Sequence, residues 1–61
     1  MTNDKAKMIG RDAAKANQGV MAMVRQLESE GATEEQMETA YQVKMAEQRR
    51  MAREAATFSS H

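Results

Sequence analysis

Glu30-Gly31-Ala32-Thr33-Glu34-Glu35-Gln36 is the one strong break in the chain, and it falls almost at its middle. Gly31 lacks a Cβ and suits the left-handed C′ position that ends a helix. Thr33 and Gln36 have the spacing of a capping box, in which the hydroxyl accepts from the Gln36 backbone while the Gln36 side chain reaches back. Glu34 and Glu35 sit where the positive end of a helix dipole favours carboxylates. The stretch therefore predicts the end of one helix, a turn over 31–33 and the start of a second helix.

Upstream, Ala6, Ile9, Ala13, Ala16, Val20, Met23 and Leu27 follow each other at alternating steps of three and four, a heptad seam. This predicts one helix over 3–30, on the order of 40 Å long. Gly10 and Gly19 fall inside it, each at about 1 kcal/mol relative to Ala. The Ala-lined first half is therefore either a close-packing surface or poorly ordered. Downstream, Met37, Tyr41, Met45, Met51, Ala52, Ala55 and Phe58 share one side of a helical wheel, interrupted by Lys44 and Gln48. A second helix over 34–56 is predicted, with a frayed tail over 57–61, where weak helix formers meet the terminus.

The expected fold is thus all-α, a single helical hairpin of two antiparallel helices spanning 1–61. One helix pair buries only the sides that face each other, so two such stripes call for a second copy and a homodimeric four-helix bundle. The expected oligomer interface is Ala6, Ile9, Ala13, Ala16, Val20, Met23 and Leu27 on the first helix, with Met37, Tyr41, Met45, Met51, Ala55 and Phe58 on the second. Met8 and Met21 lie off this seam. Lys44 and Gln48 inside it either fix the register or, for Lys44, snorkel outward from a packed stem.

Size points the same way. The chain has 61 residues, with no Cys, Pro or Trp, one Tyr and one Phe. A core below about 70 residues rarely supplies more than roughly 3–5 kcal/mol, and neither a disulfide nor a thiolate metal site is there to add to it. The longest apolar run is Val20-Met21-Ala22-Met23-Val24, far short of the ~20 residues of a membrane span. The first residues, Met1-Thr2-Asn3-Asp4-Lys5, lack the apolar stretch of a secretory signal. A cytoplasmic protein with no membrane partner is expected.

Chemistry is not expected, because catalysis needs groups converging in a pocket. The single His is His61, at the last position. Glu30, Glu34, Glu35 and Glu38 crowd the turn in no EF-hand or zinc pattern, and read as a solvated acidic tip. No cofactor or metal is expected. The expected role is protein–protein interaction and self-association, as a structural or adaptor protein whose partner is itself and, secondarily, another helical protein.

Nucleic acid is the alternative partner, through Arg49, Arg50 and Arg53. Arg49 and Arg53 are like charges one turn apart and repel slightly unless an anion joins them. Arg50, flanked by Glu47 and Glu54, is expected in ion pairs. No aromatic side chain lies among these arginines to stack on bases, so nucleic acid is not favoured. Charge is also segregated. Lys5, Lys7, Arg11 and Lys15 against Asp4 and Asp12 leave residues 1–19 at +2. Arg25 against Glu28, Glu30, Glu34, Glu35 and Glu38 leaves residues 20–40 at −4. Lys44, Arg49, Arg50 and Arg53 against Glu47 and Glu54 leave residues 41–61 at +2. On a two-helix hairpin this gives a basic open end and an acidic turn, complementary in a closed antiparallel dimer or an end-to-end filament.

In outline, a chain of this length with its turn at Glu30-Gly31-Ala32 resembles the small plasmid Rop proteins. That resemblance implies an antiparallel four-helix dimer binding paired RNA loops. The Rop family reads RNA from a first helix carrying an aromatic side chain, and the first helix here has none, so RNA contact is carried over to no residue. Tyr41-Gln42-Val43-Lys44-Met45-Ala46-Glu47, placed shortly after a turn, is similar to type III secretion needle subunits and their hairpin-shaped chaperones. Needle subunits continue into a longer C-terminal helix than the fourteen or so residues that follow Glu47 here.

Overall fold

The computed structural model describes residues 1–59, with side chains as far as Thr57. Among the described residues the chain forms three helices and no strand: α1 (Asn3–Lys15), α2 (Val20–Ser29) and α3 (Glu34–Ser59). The fold is all-α as expected, but the helix expected over 3–30 is two helices joined by a short loop. Asn17 is the reason. It takes φ 54°, the left-handed conformation that Asn tolerates better than other residues with a side chain. Around it the Asn17 N–H donates to the Ala14 carbonyl at 3.1 Å and the Gln18 N–H to the Ala13 carbonyl at 2.8 Å, the paired bonds of a Schellman stop. Gly19 then opens α2 as its N-cap.

The central turn repeats the same device with Gly31 at φ 78°. Its N–H donates to Glu28 at 3.1 Å, and that of Ala32 to Leu27 at 3.0 Å. Ala32 packs on the cluster that contains Leu27, the apolar contact that accompanies such a stop. The capping box forms in both directions: Gln36 N–H donates to Thr33 Oγ1 at 3.1 Å, and Thr33 N–H to Gln36 Oε1 at 3.0 Å. At the far end α3 runs on through Ser59, past the tail expected from 57. The Thr57 hydroxyl donates to the Arg53 carbonyl one turn back at 2.9 Å, so it joins the helix instead of competing with it. The Phe58 side chain and His61 lie outside the described residues.

The extra bend reverses α1. The Gln36 side chain donates to the Met1 carbonyl at 2.5 Å and to Asn3 Oδ1 at 3.4 Å. Gly10 backs onto Ala40, and the Glu47 carboxylate feels the charges of Lys15 and Arg11. α1 therefore runs parallel to the first half of α3, while α2 runs back between their ends, its last turn held to α1 by a Lys5–Glu30 ion pair of 2.6 Å. The two-helix hairpin behind the Rop-like outline is replaced by a short three-helix body.

Small residues decide how this body packs. Ala6, Gly10, Ala13 and Ala14 are all buried on α1, and most of the packing between helices is of α1 on α3. A Cβ built on Gly10 collides with the Ala40 carbonyl oxygen and stands 3.1 Å from the Ala40 Cα. The Ala-rich half is thus the close-packing surface of the two alternatives. Ile9, Ala13, Met23, Leu27 and Ala40 form the core, with Met1, Ala32 and Met37 against it. The body ends near the level of Glu47. α3, with 26 residues and about 39 Å of length, continues beyond it and sets the 45 Å long axis of a molecule only 18 and 13 Å across.

Candidate interaction surface

The reversal of α1 redistributes both stripes. Ala6, Ile9, Ala13, Met23 and Leu27 are at most 4 % exposed within the single chain. They pack against this chain's own helices instead of forming an outer seam. Val20 is half-buried, and Ala16 is exposed in the loop. On α3, Met37 is half-buried against the core, Met45 and Met51 are half-buried, and Tyr41 and Ala55 are exposed. Of the two stripes, the exposed surface that remains on a helix is therefore on α3.

It has two parts. The first is the arm, residues 48–59, which has no helix of the body opposite it; from Arg49 to Thr57 every residue but Met51 is exposed. The second is a line along the outer side of α3 that begins in the body at Tyr41, 44 % exposed, and runs into the arm. On this line Met45, Gln48, Arg49 and Ala52 enclose a shallow, mostly apolar groove. Met8 and Met21 are also exposed, at 48 % and 68 %, but they sit on α1 and α2, away from the groove.

Lys44 marks the inner edge of this surface. It is 3 % exposed, and among the described residues no hydrogen bond or ion pair reaches it. Yet no buried side-chain nitrogen or oxygen among them lacks a partner. The stem is packed and the ammonium tip meets water, which is snorkelling.

The basic cluster divides as its flanking charges suggest. Arg50 lies between Glu47 and Glu54, bonded to both, with the Glu54 contact at 2.6 Å. The hydrogen bond from Arg50 holds the Glu47 carboxyl below its ordinary range, and the same bond raises Arg50. Arg49 and Arg53 have no side-chain partner among the described residues and point from the arm into water. Counting side chains, residues 1–47 hold six cations against eight carboxylates, and residues 48–59 hold three arginines against Glu54. The body is acidic and the arm basic.

This replaces the polarity expected of a two-helix hairpin. The first basic residues lie at the acidic turn, where Lys5 bonds Glu30 and holds that carboxyl below its ordinary range. No group of His, Cys, Asp or Glu among the described residues is arranged to hold a metal, and no described helix is long and apolar enough to cross a membrane. No family model, curated protein or solved structure matches the chain.

Proposed function

We propose that this chain is a non-enzymatic helical interaction module that self-associates through α3 and acts as a small structural or adaptor protein. The observation that carries the reading is the uncovered arm. Most helical stability in proteins comes from packing of an apolar face, and the last twelve residues of α3, 48–59, project from the body with Met51, Ala52 and Ala55 along them. The size of the chain supports the same conclusion, since so small a core leaves stability to be gained from a partner. The assembly is a homodimer of three-helix chains, in place of two paired hairpins.

Light scattering over a range of protein concentrations tests this. A mass of about twice the 6.8 kDa chain is expected, and a monomer at every concentration would refute it. A second reading rests on Arg49 and Arg53, two cations one turn apart with no partner among the described residues: contact with nucleic acid. Binding to a labelled RNA or DNA hairpin that weakens steeply with salt, as counterion release requires, and that disappears in Arg49→Glu with Arg53→Glu, would establish it.

A further inference from the structure

Along the outer side of α3, Glu38, Tyr41, Met45, Gln48, Ala52 and Ala55 follow each other at alternating steps of three and four. That spacing keeps a seam turned toward a partner helix. The groove on this seam is enclosed by Met45, Gln48, Arg49 and Ala52, residues at i, i+3, i+4 and i+7. Four residues so placed form the hole that receives one side chain of a facing helix in a coiled coil.

Resting on the self-association proposed above, we propose that the hole is filled by Met45 of a second copy, in an antiparallel pair of α3 helices overlapping along their whole length. As heptad positions Glu38, Met45 and Ala52 are a and Tyr41, Gln48 and Ala55 are d, and in an antiparallel pair each a residue stands across from a d residue. Met45 lies opposite the partner's Gln48. The same register sets Tyr41 across from the partner's Ala52, a large side chain against a small one, and Glu38 across from the partner's Ala55. It also brings Glu34, the first residue of α3, level with the partner's Ser59, the last. Each arm is then covered by the partner's α3 with nothing left over.

Charge selects this direction. Glu34, Glu35 and Glu38 against Lys44 leave the first half of α3 at −2, and Arg49, Arg50 and Arg53 against Glu47 and Glu54 leave the second half at +1, so an antiparallel pair sets halves of unlike net charge side by side. A parallel pair would set carboxylates beside carboxylates and arginines beside arginines. Within the hole, Arg49 and Gln48 reach the rim, where the phenol of Tyr41 from the facing helix finds a donor and a cation for its ring.

The chain has no cysteine, so two single variants, Glu38→Cys and Ala55→Cys, report the register without touching the hole. In the proposed pair, like residues are about 25 Å apart along the axis, whereas position 38 faces position 55. A disulfide needs Cα atoms within roughly 7 Å. Denatured together, refolded and oxidised, the mixture should give a crosslinked dimer, and each variant alone should give none. Crosslinking of each variant with itself, no better in the mixture, would mean a parallel pair and overturn the proposal. A protein of dimer mass that crosslinks in no combination would overturn the α3 seam and leave self-association standing. A monomer by light scattering at all concentrations would remove both.

Discussion

Gly10 is the residue on which the body turns, because its missing side chain is the space occupied by the Ala40 backbone. In an isolated helix Gly10→Ala would gain about 1 kcal/mol. Here the added methyl has to part α1 from α3, and overpacking of this kind costs about 1–3 kcal/mol. The substitution should lower the midpoint of urea unfolding, and a raised midpoint would show that the helices do not approach as described. Local chemistry made half of the chain legible: Gly31, Thr33 and Gln36 act within one turn of each other, so their spacing states their roles. Gly10 acts across 30 residues of sequence, and its spacing carries no sign of that. Asn17 did carry a sign. Asn two residues before Gly19 is a left-handed stop followed by a helix start, but a heptad seam running unbroken across it suggested one continuous helix. Gly19→Asp tests the reassignment, because α2 has no side-chain cap and no acid in its first turn. The Asp variant should be more stable than Gly19→Ala by about 1 kcal/mol, whereas in the middle of a helix the Ala variant would be the more stable.

At the scale of elements, two carboxylates tie helices to each other or to themselves, and both are held below their ordinary value of 4.5, Glu30 by its bond with Lys5 and Glu47 by its bond with Arg50. A carboxyl that is more acidic folded than unfolded stabilises the fold above its unfolded pKa and loses that contribution as pH falls through the folded value. Thermal unfolding should therefore hold level from neutral pH down to about pH 5 and decline below the ordinary value of 4.5. Lys5→Met should flatten part of the decline, since Glu30 then loses the largest cause of its lowered pKa. An equal acid dependence in wild type and variant would mean that the Lys5–Glu30 pair does not bind α1 to α2. The seam on the outer side of α3 was legible only in part. The spacing places Tyr41, Met45 and Ala55 in one interface with Met51 and with Met37, which packs against the core on the inner side of the helix. A single wheel merges two neighbouring faces into one broad stripe, and they separate only when α1 is seen to occupy one of them.

For the molecule as a whole, the question is whether folding and pairing are one event. Among the described residues the only large side chains fully out of water are Met23 and Leu27, and a core so small leaves the single chain close to the limit of independent stability. If each α3 is completed by a second copy, association is part of the free energy of folding, and the melting temperature must depend on concentration. A tenfold change in concentration is worth about 1.4 kcal/mol per dimer. Shared between two chains, that moves the melting temperature of a domain this size by roughly 3–6 °C. Circular dichroism melts across a hundredfold range of concentration should show twice this shift. Salt then separates the contributions: screening weakens attraction between the acidic half of one α3 and the basic half of the other, while apolar burial in the seam persists, so high salt should lower each melt without abolishing its dependence on concentration. A melting temperature that stays fixed across the hundredfold range would mean that the three-helix body stands alone and that α3 projects from it unpaired, its arm then stabilised by helix propensity and the Glu47–Arg50–Glu54 bonds.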